Sequence, residues 1–120
     1  MSAHLKYWPH SKGQSGTEEA LQNDCAKILD LKGEVFYHCP NGGNRDAVTG
    51  AKLKRAGVKR GVPDLIIVGK MLAVELKVGN NKPTSEQIKW LEDYRAIGWG
   101  AYWVNSLDEF LALISKSRSI

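Results

Sequence analysis

Residues 64–78 read DLIIVGKMLAVELKV, and this stretch decides the fold. It consists of two apolar runs separated by Gly69-Lys70, and a two-residue turn with glycine first is typical of a β-hairpin. Both runs are apolar on both faces, so the hairpin is predicted to be central in a sheet and covered on both sides. Counting outward from the turn pairs Leu65 with Val74 and Asp64 with Glu75.

The rest of the chain supplies flanking helices and two more strands. Helical spacing predicts a first helix over residues 17–31, and β-branched and aromatic residues predict a strand over 35–39. A short helix is expected around 50–56, a helix with a Thr84 capping box before Gly98, a strand over 101–104 and a last helix capped by Ser106. The crossover between the second hairpin strand and the last strand is expected to be parallel. The predicted fold is α/β, with a mixed four-stranded sheet in the order α-β-β-β-α-β-α.

Composition indicates one ordinary domain. The 120 residues are 42% hydrophobic and 25% charged, with a net charge of +4 that is compatible with a polyanionic partner. Residues 1–16 are polar and aperiodic, which predicts a flexible N-terminal arm followed by a single domain over 17–120. No apolar run approaches the roughly 18–20 residues that span a bilayer, and no secretion signal is present. A cytoplasmic protein without a membrane partner is expected.

The predicted hairpin also creates a cluster of charges. Asp64 and Glu75 lie side by side in the predicted register, and the period of two along a strand puts Lys77 on their face. Like charges opposite each other are destabilising unless they are neutralised, which a divalent cation would do. Without a CxxC pair, and with only three histidines, a metal site must use oxygen ligands, which suit Mg²⁺ or Mn²⁺ and a phosphodiester substrate.

This cluster is expensive to desolvate, so it is expected at the open end of the sheet, wet and reachable. In the alternative interpretation, Asp64 caps a turn after Pro63, and Glu75 and Lys77 form a solvated pair on an edge strand.

Positive charge is concentrated in one segment just before Asp64. Residues 45–60, called the basic segment below, contain six basic side chains against Asp46 alone, a net charge of +5. Such a segment is predicted to contact phosphates beside the metal site, although a solvated helix face would carry the same charges. Its basic residues are Arg45, Lys52, Lys54, Arg55, Lys59 and Arg60.

The motif Gly61-Val62-Pro63-Asp64, followed after ten residues by Glu75-Leu76-Lys77, resembles the PD-(D/E)xK nuclease signature, and more narrowly that of the VRR-NUC (virus-type replication-repair nuclease) domain. Thr17 to Gln22, the Pro40-Asn41-Gly42-Gly43 loop and Gln87 also match, so the similarity covers about residues 15–110. The resemblance implies a restriction-endonuclease-like core. It further implies that Asp64, Glu75, the Leu76 carbonyl and Glu18 bind Mg²⁺ or Mn²⁺, while Lys77 serves the attacking water.

Three of the implied roles have structural alternatives. Glu18, with Gln22 as a supporting partner one turn along, could instead be a favourable charge at a helix N-terminus. Gln87 resembles the family's glutamine that approaches DNA or the water network, but it is also the third residue of a capping box. Asn41 and its neighbouring glycines could bring backbone N–H groups close to DNA, or could only turn the chain.

The implied function is a structure-selective DNA endonuclease, with a four-way (Holliday) junction as the favoured substrate. Stand-alone members of the family look like homodimers, which suits a two-fold substrate, and a bacterial or phage setting in recombination or repair is implied, without an organic cofactor. Two alternatives remain open: a flap or nicking nuclease of the same superfamily, and a DNA-binding module without turnover.

Trp90 lies off the apolar stripe of its predicted helix. It is expected either to face a partner subunit or to pack beneath the last helix.

Overall fold

The computed structural model describes residues 5–9, 11–40 and 47–116. Within these ranges no helix is long and apolar enough to cross a membrane. The helices and strands, in chain order, are α1 (Glu18–Leu31), β1 (Phe36–His38), α2 (Ala47–Arg55), β2 (Leu65–Ile67), β3 (Leu72–Leu76), α3 (Ser85–Ala96), β4 (Gly100–Val104) and α4 (Leu107–Lys116).

The four strands form one sheet in the spatial order β1-β2-β3-β4. The pairs β1–β2 and β2–β3 are antiparallel, and β3–β4 is parallel. α3 makes the crossover between the two parallel strands, as the sequence predicts. The predicted mixed α/β sheet with flanking helices is confirmed, and the short helix expected around 50–56 is α2, which begins three residues earlier and buries none of its side chains.

The hairpin register is the predicted one. Leu65 pairs with Val74, Ile66 with Ala73 and Ile67 with Leu72. Continuing this register by one residue places Asp64 opposite Glu75, which is the arrangement that the charge cluster requires.

The hairpin turn differs from the prediction. Val68–Lys70 forms a turn of 3₁₀ helix, and the positive φ of 48° falls on Met71 rather than on Gly69. The register survives because the connection is longer by one residue on each side. This turn is accompanied by a contact that no local pattern shows, because the buried ammonium of Lys70 lies 3.7 Å from the carboxylate of Glu34.

Helices cover both faces of the sheet. Side chains alternate along each strand, so β2 and β3 contribute to two separate cores. α1 and α4 pack on the face that carries Leu65, Ile67, Leu72, Val74 and Leu76. α3 packs through Leu91 on the opposite face, against Ile66 and Ala73. Glu75 alternates with Val74 and Leu76, and so belongs to the α3 face.

The first turns of three helices are capped by side chains, at α3 and α4 by the predicted Thr84 and Ser106. The hydroxyl of Thr17 accepts a hydrogen bond from the Ala20 amide, and Thr84 and Gln87 form a reciprocal capping box. At α4 the Ser106 hydroxyl accepts from the Glu109 amide. The Glu109 carboxylate does not complete a box on Ser106, because it accepts from the amide of Asn105 and binds Lys6.

The N-terminal arm predicted over residues 1–16 is attached to the domain at several of its described residues. The Trp103 amide donates to the Leu5 carbonyl, and the Tyr7 amide donates to the Trp103 carbonyl, so this segment runs parallel to the edge of β4. Leu5 is buried in the core on the α3 face. The expectation of a loose arm is therefore corrected for these residues, because Leu5 and Lys6 find partners that lie about a hundred residues further along the chain.

Candidate active site

Asp64, Glu75 and Lys77 meet at the end of the hairpin away from its turn. One carboxylate oxygen of Asp64 accepts a hydrogen bond of 2.8 Å from the Leu76 amide, which ties it across to the other strand. The ammonium of Lys77 lies 3.5 Å from Oε2 of Glu75. The structure thus brings together the three side chains that the sequence predicts as a cluster.

The cluster is buried, contrary to the expected wet rim. Glu75 is 1% exposed and Lys77 8% exposed, while Asp64 is half-buried. β3 lies between β2 and β4 rather than at an edge, so the alternative of a solvated pair on an edge strand is also wrong. Asp64 bonds across the hairpin instead of capping a turn after Pro63. Three ionisable groups held in a largely apolar interior require a strong compensating interaction.

Burial shifts the acid–base behaviour of both carboxyl groups. Desolvation, together with the charge of Asp64 and against the opposing charge of Lys77, raises the pKa of Glu75 to about 9. Desolvation also raises the pKa of Asp64, against the Leu76 amide and Lys77. Oε1 of Glu75 is buried and finds no hydrogen-bond donor among the described residues. Two acidic groups that lack sufficient positive charge are what a bound cation would stabilise.

The donor set fits a hard divalent cation. Asp64 and Glu75 provide carboxylate oxygens, and Leu76, whose carbonyl is the third predicted ligand, stands between Glu75 and Lys77. Glu18 is the first residue of α1, and its charge raises the pKa of both Asp64 and Glu75. Even so, the described part of the chain holds no group of three His, Cys, Asp or Glu side chains placed to bind a metal ion. Glu18 therefore acts on the pair electrostatically without joining it in this conformation.

Two predicted supporting glutamines have different surroundings. Gln22 has a buried side-chain oxygen that meets no hydrogen-bond donor in the described ranges, so the role predicted for it beside Glu18 stays a prediction. Gln87 is engaged in the capping box, where its side-chain oxygen accepts from the Thr84 amide at 2.8 Å. Gln87 therefore has a structural role in the capping box, and the predicted approach of its side chain to DNA stays a prediction.

The described basic residues precede the site and are exposed. Lys52, Lys54 and Arg55 lie in the last turn of α2, and Lys59 and Arg60 follow in the connection to β2. Asn41 and Arg45 lie outside the described residues.

The end of the basic segment is attached to α3. The indole N–H of Trp90 donates to the Arg60 carbonyl at 2.9 Å, and a Cβ at Gly61 would come within 3.0 Å of the Glu86 Cβ. Trp90 therefore packs beside the basic segment and on the face opposite α4, not beneath α4 as one interpretation expected. No local pattern in the sequence indicates this contact.

Replacing Glu75 by glutamine is expected to stabilise the metal-free protein at alkaline pH. The folded pKa of about 9 lies above the ordinary value of 4.5, so the folded state retains a proton that the unfolded state loses. Stability of the unaltered protein should therefore fall as pH rises from about 4.5 to 9, and Glu75→Gln should remove much of this slope and gain roughly 1–3 kcal/mol at pH 8.5.

Urea unfolding in EDTA at pH 5 and pH 8.5 measures the pH dependence of stability and the gain in stability from Glu75→Gln. Glu19→Gln, at an exposed position in the first turn of α1, is the matched control and should keep the slope of the unaltered protein. Equal pH dependence in Glu75→Gln and Glu19→Gln would show that Glu75 is not held in a protonated state.

Comparison with known proteins supports the family resemblance of the motif that contains Asp64, Glu75 and Lys77. No protein-family model matches the chain, and no curated protein matches it. A solved structure described as a VRR_NUC domain protein superimposes with a TM-score of 0.72 and 26% sequence identity, covering 87% of this chain and 89% of that chain. The agreement extends over most of the length of both chains. Motif and fold together support a VRR-NUC domain, and so a similarity of this chain to a nuclease-family domain.

Proposed function

We propose that this chain is a metal-dependent, structure-selective DNA endonuclease that hydrolyses phosphodiester bonds, with a four-way junction as its favoured substrate and a homodimer as its working form. The observation that carries the proposal is the buried cluster of Asp64, Glu75 and Lys77 with the unsatisfied Oε1 of Glu75. A buried carboxyl oxygen without a partner among the described residues is costly in a purely structural cluster, and a bound ligand would remove that cost.

The chain's residues have distinct tasks in this reaction. Asp64, Glu75 and the Leu76 carbonyl would hold Mg²⁺ or Mn²⁺, with Glu18 available as a further acidic group. When bound, the cation polarises the phosphoryl group and lowers the pKa of a coordinated water. Lys77 donates from its ammonium to the attacking water or to the developing negative charge on the phosphate, and the apolar surroundings strengthen that interaction.

The Leu76 amide keeps Asp64 in place through its hydrogen bond. Attack of the water oxygen on phosphorus forms a new P–O bond while the water releases a proton to solvent. The bond to the leaving sugar oxygen breaks, and that oxygen takes up a proton from solvent.

Cleavage of labelled DNA tests the proposal. A four-way junction, a flap and a linear duplex should be incubated with Mg²⁺, Mn²⁺ or EDTA, and junction cutting is expected with either metal but not with EDTA. Asp64→Asn should lower the cutting rate at least about 100-fold, because it removes a metal-binding charge. Asp30→Asn, the same substitution at an exposed position of α1, should cut at the unaltered rate.

The same assay separates the alternatives. Preferential cutting of the flap would replace the junction as the favoured substrate while retaining the nuclease. Tight binding of all three DNAs without cutting in any metal would overturn the enzyme and leave a DNA-binding module. Light scattering with and without junction DNA measures the oligomeric state, and a monomer in both conditions would overturn the homodimer.

The basic segment is expected to bind phosphates independently of sequence. Replacing Lys52 and Lys54 by glutamine should weaken DNA binding about 10-fold near 0.1 M salt and reduce the slope of log Kd against log salt by about 1.8, or 0.9 per lost contact. Fluorescence anisotropy in EDTA measures both. The double replacement of Lys27 and Lys32, both exposed on or just after α1, removes the same charge and should leave the slope unchanged. Equal losses in the two variants would indicate a general charge effect.

A further inference from the structure

A second basic surface lies on the other side of the catalytic strand from the basic segment. It is a groove of about 550 Å³ between the N-terminal segment and the loop that follows β3, called the β4 groove below. Its polar and aromatic lining includes Lys6, Lys12, Asn80, Asn81, Lys82 and Trp103. Neither the motif nor the basic segment accounts for this surface.

The groove is chemically suited to an anion. Lys12 and Lys82 are exposed, whereas Lys6 is buried and already paired with Glu109. Of the described residues that line the groove, none is acidic. Two ammonium groups together with side-chain amides can bind a phosphate-bearing chain through charge and hydrogen bonds, while excluding cationic ligands.

The groove is built by backbone contacts rather than by mobile side chains. The Gln14 amide donates to the Asn105 carbonyl at 2.8 Å, and the Gly79 amide donates to the Gln14 carbonyl at 2.9 Å. At Gly13 the two backbones are so close that a Cβ would lie 2.0 Å from the Gly79 carbonyl oxygen. The N-terminal segment and the loop therefore hold Lys12 and Lys82 on one fixed framework.

The groove adjoins the candidate active site directly. Trp103, which lines it, is the β4 neighbour of Glu75 in the parallel register, and both side chains belong to the α3 face. The loop that forms its other side begins two residues after Lys77. Asp64 lies on the opposite side of β3, towards the basic segment. A polyanion crossing the carboxylates would therefore meet lysines on both sides of them.

We infer that the β4 groove binds a stretch of the DNA backbone that lies outside the cleaved phosphodiester. This inference rests on the proposed function and adds to it a second contact region, formed by Lys12, Lys82 and the neighbouring amides. Contact on both sides of the cut site fixes the direction in which DNA crosses the hairpin, which a single basic segment cannot do.

Binding of a labelled four-way junction and a linear duplex in EDTA tests the inference without requiring cleavage. Replacing Lys12 and Lys82 together by glutamine is expected to raise Kd about 10-fold near 0.1 M salt and to lower the slope of log Kd against log salt by about 1.8. The Lys27 and Lys32 double replacement is again the charge-matched control.

Each outcome separates this inference from the proposed function. A groove variant that binds DNA with the same Kd and salt slope as the control would overturn the inference while leaving the nuclease intact. Failure of the unaltered protein to bind either DNA would overturn the proposed function itself. An equal loss of polyglutamate binding in the groove variant, at equal charge concentration, would also overturn the inference, because it would identify an acidic protein segment as an equally good occupant of the groove.

Discussion

Replacing Lys77 by methionine is expected to lower the rate of junction cleavage at saturating DNA by about 10²–10³-fold, the usual cost of removing one fixed donor from a developing charge. Lys77 is 8% exposed, and its ammonium lies 3.5 Å from Glu75, so its position is held by the fold before DNA arrives. Methionine keeps much of the length and the apolar character of the stem but donates no hydrogen bond. The Kd for DNA in EDTA should stay within about 3-fold of the value for the unaltered protein, because a buried ammonium contributes little to binding of the DNA phosphate backbone.

The hairpin itself offers a matched control for Lys77→Met. Lys70 is also a buried lysine beside a glutamate, but it lies at the turn end of the hairpin, with Glu34 as its partner. Lys70→Met should cost stability and leave the cleavage rate at saturation unchanged. Comparable loss of rate in both variants, or full activity in Lys77→Met, would remove Lys77 from the reaction.

The second large effect is expected at the pair formed by Lys6 and Glu109. Their side chains are 3% and 1% exposed, and the Lys6 ammonium also donates to the Trp8 carbonyl and the Ser11 hydroxyl. Replacing Lys6 by methionine leaves a buried carboxylate without its cation, which should lower the free energy of unfolding by about 3–5 kcal/mol. The double variant with Glu109→Gln should lose less than the sum of the two single variants, because neither buried charge is then left alone.

Urea unfolding of the single and double variants measures this coupling. The exposed pair of Lys89 and Asp93, at 69% and 51% exposure on α3, provides the comparison and should contribute no more than about 0.5 kcal/mol. A loss in Lys6→Met no larger than that in Lys89→Met would mean that the N-terminal segment does not stabilise the domain.

The parts of the fold that sequence reasoning predicts are those determined by local pattern. The register of the hairpin follows from alternation along two apolar strands, and it survives a change in the turn because loop residues were added equally on both sides. Capping by Thr17 and Thr84 depends only on residues three positions away. The proximity of Asp64, Glu75 and Lys77 is in turn a consequence of that register, so the centre of the candidate site is predictable as well.

What the sequence does not predict depends on partners far along the chain. The burial of Glu75 arises because β4 lies beside β3 and α3 covers that face, and neither is visible in the spacing of the acids. The hydrogen bond from the Trp90 indole to the Arg60 carbonyl joins residues that are 30 positions apart. The packing of Leu5 and Lys6 depends on β4 and α4. Glu18 is a further example. Its position at the start of a helix is predictable from the sequence, but its distance from Asp64 and Glu75 is not.

The attachment of the N-terminal segment also sets the order in which the protein can fold during synthesis. Lys6 leaves the ribosome well before its partner Glu109, which is 103 positions later. Forming a contact of this sequence separation costs a large loop-closure entropy, so the contact forms late in folding. The sheet can pair its hairpin early, but the edge of β4 stays open until α4 has been made. Completion of α4 is therefore the step that allows the N-terminal segment to pack on the domain through Lys6 and Glu109.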